Sequence, residues 1–167
     1  MDIVNRPEIS KSIALTYGVF IVLTLALTAF FIGLAVFTPI NFYAGVVVSV
    51  VLAFVSLVIM LIFASILRTR YVIRDDELII NATRLIGGPK TVPLKTISSV
   101  EKTVIPFGFR LFGASFYGGY CYFPSIGRAF VVITNFEDGL WIKTEHGNYI
   151  ITPSNPLGFK EMIERAR

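Results

Sequence analysis

From Ser12 to Leu67 the chain runs fifty-six residues without one Asp, Glu, Lys, Arg or His. A run of that length cannot be the core of a small water-soluble domain, where every element must also present a polar face. It holds two lengths suited to crossing a bilayer, each above the roughly 20 apolar residues that a spanning helix needs. These are Ile13 to Phe37 and Phe42 to Leu67, joined at Thr38-Pro39-Ile40-Asn41. Proline removes an amide donor that a continuing helix requires, and asparagine suits a turn, so the sequence predicts a transmembrane helical hairpin over residues 13–67. Each arm has roughly 25 residues, about 37 Å at the helical rise, and crosses with some tilt. Helix is expected even over the β-branched Val46 to Val51, because in lipid each backbone amide must find its partner inside the segment. Ala29 and Gly33 on the first arm, and Gly45, Ser49 and Ala53 on the second, place small residues four apart, where helix backbones can approach closely.

Charge sets the expected orientation. Arg6 and Lys11 precede the run, Arg68 and Arg70 follow it, and the connecting turn carries no cation. The positive-inside tendency then puts both termini in the cytoplasm and the hairpin tip outside. The apolar segment is longer than a signal-peptide core and has acids ahead of it, at Asp2 and Glu8, so an uncleaved anchor in the cell membrane is expected.

Residues 1–12 read as a short cytoplasmic leader and residues 68–167 as one small cytoplasmic domain. The net charge of +4 resides wholly in that domain, which suits apposition to an anionic leaflet. Cys121 is the only cysteine, which excludes an intrachain disulfide and a cysteine zinc site. Membrane lipid and a protein partner or a second copy of the chain are the expected partners. No nucleic acid, cofactor or metal is expected.

From Tyr71 onward the pattern changes to short alternating runs. Tyr71 to Arg74 and Leu78 to Thr83 flank the charged turn Asp75-Asp76-Glu77. A third strand is expected near Thr91 to Pro93 and a fourth over Ile97 to Val104. After an interruption come Ala129 to Thr134, Leu140 to Thr144 and Tyr149 to Thr152, separated by turn-forming residues. The chain ends in a helix with an N-cap at Asn155, proline in its first turn, and Phe159, Met162, Ile163 and Ala166 on one apolar face.

Four strands, an interruption, three strands and a C-terminal capping helix make a pattern that resembles the pleckstrin-homology-like fold, a mostly-β barrel closed by its last helix. It is more closely similar to the bacterial pleckstrin-homology families of small membrane proteins. Tyr71 to Ile80, Val92 to Val100 and Ala129 to Phe159 carry the resemblance. It implies a non-catalytic interaction module. In the eukaryotic relatives a phosphoinositide site depends on basic residues around the first strand and the loop that follows. Arg68, Arg70 and Arg74 fall on one face by period two and suit contact with a membrane surface. The loop here is Asp75-Asp76-Glu77, whose carboxylates repel a phosphorylated headgroup, so inositide recognition is not expected.

The interruption, Pro106 to Arg128, holds eight aromatics and five glycines in 23 residues, with Arg110 and Arg128 its only charges. Long loops in compact domains are often functional, and this many rings are too many to leave in water. Phe109, Arg110, Phe112, Phe116, Tyr117, Tyr120, Tyr122 and Arg128 are therefore the candidate interaction surface. The plainer alternative is that the stretch builds its own small core. Catalytic readings rest on Cys121 or Ser115 with His146, a pairing that needs the base within hydrogen-bond reach. A structural oligomer that organises membrane is a further alternative. No ionisable residue lies in the membrane run, which argues against a transporter or an intramembrane enzyme.

Overall fold

The computed structural model describes residues 3–7, 9–37, 42–115 and 118–167, with the backbone alone at Ile3, Arg110 and residues 112–115. The chain divides into two compact units, Lys11–Ala64 and the remainder, Met1–Ser10 with Ser65–Arg167.

The first unit holds α1 (Lys11–Phe37) and most of α2 (Phe42–Leu67), both long and apolar enough to cross a membrane. The expected turn at residues 38–41 lies outside the described residues. Their serine and threonine hydroxyls donate back to the carbonyl four residues earlier, as Ser49 does to Gly45 at 2.7 Å and Thr28 to Thr24 at 2.7 Å. A hydroxyl bonded in this way is not left bare on an apolar helix. The arms approach at Gly45, where an added Cβ would stand 2.7 Å from the Cβ of Ala35, and Tyr17 stacks on Phe63 at 5.0 Å. The close approach therefore uses Gly45 and Ala35. Gly33 has no described atom within 4 Å of an added Cβ.

The second unit is built of two sheets and a helix. The first sheet has the order β1 (Ile3–Asn5), β2 (Arg70–Arg74), β3 (Glu77–Asn81), β4 (Lys90–Pro93). Its first strand comes from the leader, which lies antiparallel to β2 with Val4 opposite Val72. The sequence gives little hint of that strand, since only Ile3 and Val4 carry its apolar signal. β2 and β3 are joined by the two-residue turn Asp75-Asp76, both at positive φ (47° and 65°), the geometry that matches the twist of a hairpin. Asp tolerates this region better than most residues. Arg74 Nε donates to Asp75 at 3.0 Å.

The second sheet has the order β5 (Ile97–Thr103), β9 (Gly139–Thr144), β10 (Gly147–Ile151), β8 (Gly127–Val132), β7 (Gly118–Phe123), β6 (Phe109–Ser115). All its pairings are antiparallel except that of β10 with β8. One expectation is corrected here. The interruption is not a loop: it supplies β6 and β7, which with β5 join the last three expected strands in a sheet of six. The chain leaves the first sheet at Pro93, which has no amide to continue the ladder, and turns through Leu94–Thr96 to pair with β9. The two sheets thus form a PH-like sandwich and not a closed barrel.

Between the sheets lies the main core. Tyr71, Ile73, Leu78, Ile80 and Val92 face Val100, Phe130, Val132, Leu140, Ile142 and Ile151, all buried. Side chains of this size each contribute about 1.5 to 3 kcal/mol on full burial. Polar groups in this core are partnered: the Thr134 and Thr152 hydroxyls lie 2.7 Å apart, and the Thr152 amide donates to the Tyr71 hydroxyl at 3.4 Å. Helix α3 (Pro156–Ala166) closes the unit with Phe159 and Ile163 fully buried and Met162 half-buried. The Asn155 side chain caps it, accepting from the Gly158 amide at 3.0 Å. Arg167 donates to the Ser98 carbonyl at 3.2 Å, fixing the helix end beside β5.

Candidate functional site

Strand alternation divides the aromatic stretch into an inner and an outer set. Cys121 and Phe123 point away from the main core into a second small cluster with Ala129, Val131, Ile133 and Ile150, roofed by Ile105, Ile126 and Trp141. Phe123 presses so closely on Gly108 that a Cβ there would overlap its ring. Part of the stretch is therefore core, as the plainer reading had it. A strand buried on both faces explains why Ala129 to Ile133 is a continuous apolar run and not an alternating one.

Tyr120 points the other way. It lies opposite Phe130, which lies opposite Tyr149, so three rings stand in register across β7, β8 and β10. Tyr120 meets Phe130 edge-on at 5.3 Å, and Phe130 meets Tyr149 at 6.3 Å. Lys90 reaches across from β4, its Nζ 5.3 Å from the centroids of both Tyr120 and Phe130. The Arg128 guanidinium lies 5.2 Å from the Tyr120 ring. The three rings and Arg128 border a cleft of about 340 Å³, lined also by His146, Gly147 and Asn148. Phe130 is its buried floor, and Arg128 and His146 are exposed at its rim. Burial raises the Tyr149 pKa, the Tyr120 ring adds to the rise, and Lys90 opposes it. The Asn148 amide is used within the fold: it donates to the Ile126 carbonyl at 3.1 Å and accepts from Trp141 Nε1 at 3.0 Å. That anchors the turn carrying His146.

At the sheet edge the rings are bare. Phe107 is 80 % exposed, Phe109 60 % and Tyr122 47 %, with Val104 and Leu111 exposed beside them. Phe107 and Phe109 meet edge-on at 5.4 Å, and Phe109 lies opposite Tyr122.

The candidate surface residues whose side chains are described fall in two places. Phe109 and Tyr122 lie on the exposed edge, and Tyr120 and Arg128 belong to the cleft. Arg110 and Phe112 are placed on β6 by their backbone, and Phe116 and Tyr117 lie outside the described residues. Arg70 and Arg74 face outward from β2, and Arg68 is exposed just before it. Cys121 and His146 are not brought together: Cys121 turns into the outer cluster while His146 lines the cleft on the opposite face of β7. Ser115 is placed by its backbone at the end of β6. No group of His, Cys, Asp and Glu among the described residues could hold a metal ion. Lys90, Phe130 and Tyr149 were missed from sequence, because their meeting depends on strand order. The available signal was Tyr149, the one aromatic residue of β10.

Comparison with curated proteins and with solved structures returns no match. A family model described as the bacterial PH domain matches residues 69–167, which begin at the last residue before β2 and end with α3. With more than half of its length matched, over every strand of the sandwich except β1, the chain belongs to the bacterial PH domain family.

Proposed function

We propose that the protein is a membrane-anchored interaction module, in which a PH-like domain held at the cytoplasmic surface binds a protein partner or a second copy through the β6–β7 edge, without catalysis. The observation that carries this reading is the exposed apolar cluster of Val104, Phe107, Phe109, Leu111 and Tyr122. It borders β6, the last strand of its sheet among the described residues, whose outer edge can accept a further strand. An aromatic patch beside an open edge is the composition of a recognition surface.

The leader supports the membrane part. Because β1 pairs with β2, the chain just before α1 and the chain just after α2 belong to one sheet. Two spans in between return the chain to the side from which it left, and the flanking cations make that side the cytoplasm. Arg68, Arg70 and Arg74 are then suited to anionic headgroups. Against inositide recognition stands the Asp75-Asp76 turn, whose carboxylate holds Arg74.

The test is the triple substitution Phe107→Ser, Phe109→Ser and Tyr122→Ser in the full chain, purified in an uncharged detergent. Chemical crosslinking and sedimentation should show the association of the natural sequence lost, with the melting temperature kept. Association unchanged in a folded triple variant would remove the edge from the function.

A further inference from the structure

We infer that the cleft lined by β7, β8 and β10 binds a carboxylate carried on an apolar body. Charge supplies the first step. Arg128 lines the cleft, Lys90 lies 5.3 Å from the centroids of two rings that line it, and none of the lining residues is acidic. Glu145, beside His146 in the chain, is exposed and does not line it. Among the described residues neither cation makes an ion pair. Both are held against ring faces, which fixes where they sit and leaves their N–H groups to be satisfied by water or a ligand.

Shape supplies the second step. The cleft falls within the size range of small-ligand sites and has a buried Phe130 floor between two half-buried tyrosines. An anion bound there brings carbon with it, because the rings offer contact area that a hydrated inorganic ion cannot use. Tyr120 and Tyr149, which line the cleft, carry phenol hydroxyls that can donate to an oxygen acceptor.

The third step separates carboxylate from phosphate. The lining comes from strands and one tight turn, without the helix N-terminus on which phosphate sites commonly rely. Arg128 offers a planar fork that matches a carboxylate. The carboxylate could belong to a free organic acid or to the terminus of a docking protein. This inference is separate from the role of the β6–β7 edge, which rests on other residues, and either can fail alone.

The experiment is calorimetric titration of the full chain in uncharged detergent with phenylacetate, its neutral amide phenylacetamide, and phenyl phosphate. Phenylacetate should bind saturably. The amide should bind about tenfold or more weakly, as should phenylacetate to Lys90→Gln and Arg128→Gln, since a hydrogen bond to a charged group is worth about 1.5 to 3 kcal/mol. Lys143→Gln, exposed on β9, should match the natural sequence. A capped peptide ending in a free phenylalanine carboxylate separates the sources. Tighter binding than phenylacetate assigns the site to a protein terminus, and exclusion of the peptide assigns it to a small acid. Should Lys90→Gln fail to fold, the exposed Arg128→Gln decides. No saturable binding by folded protein, binding indifferent to Lys90→Gln and Arg128→Gln, or a clear preference for phenyl phosphate would each overturn the assignment.

Discussion

The amide and the hydroxyl of Ser154 both donate to the side-chain carbonyl of Asn5, at 3.1 and 3.0 Å. These residues stand at opposite ends of the chain, and the same junction includes a bridge between Pro7 and Pro153 and a bond from the Ser10 amide to the Thr134 carbonyl at 2.8 Å. The leader is thereby part of the domain's hydrogen-bonded frame. Replacing Asn5 with Ala should destabilise the domain by about 1 kcal/mol, the ordinary net worth of exposed side-chain hydrogen bonds. Urea unfolding of the full chain in detergent, followed by the fluorescence of Trp141, reads the change.

The C-terminal helix gives a sharper contrast. Ile163 is fully buried and Met162 only half so. Ile163→Asp should cost several kcal/mol and unfold a domain of this size, because it buries an unpaired carboxylate. Met162→Asp can turn its charge to water and should cost clearly less. Equal melting temperatures for the two variants would remove the helix from the core.

Much of this fold was legible because its signals are local. The charge-free run, the Asp75-Asp76 turn and the Asn155 cap each act through a few neighbouring residues, and each lies where the sequence placed it. What was not legible depends on pairing at a distance. Three residues of leader cannot announce a strand whose partner lies beyond two helices. The β6–β7 pair was hidden because glycines interrupt its alternation and because β7 buries Cys121 on one face while Tyr120 lines a cleft on the other. Sequence proximity likewise puts Tyr120 and Tyr122 together, where pairing sets one opposite Phe130 and the other opposite Phe109.

The Asp75-Asp76 turn should respond to glycine. With φ of 65° at Asp76, a side chain bears a steric cost that glycine avoids, partly offset by the greater freedom of glycine in the unfolded chain. Asp76→Gly should stabilise the domain by about 0.5 kcal/mol. A loss of stability in urea unfolding would show that the carboxylate has a partner of its own.

Alkaline pH should unfold the domain through its buried phenols. Burial raises the Tyr71 pKa far above the ordinary value of 10.0, outweighing the hydrogen bonds with Thr152 that lower it. The unfolded phenol ionises near its ordinary value while the folded one stays neutral. The stabilisation is therefore complete below pH 10 and is lost as pH rises beyond it, by about 1.4 kcal/mol per pH unit for one such group. Tyr71→Phe should be less stable at neutral pH, through loss of its hydrogen bonds, and should lose stability less steeply above pH 10. Parallel pH profiles for the two proteins would contradict the burial of this phenol.

The claim that the β6–β7 edge is a docking surface is tested most directly by photo-crosslinking in intact cells. A photoreactive phenylalanine analogue is placed at Phe109, at Tyr122 and, as a control, at Lys143. Irradiation should give discrete protein adducts from Phe109 and Tyr122 and none from Lys143, whether the captured protein is a partner or a second copy. Absence of adducts from both edge positions in correctly inserted protein, or equal capture from Lys143, would contradict the account.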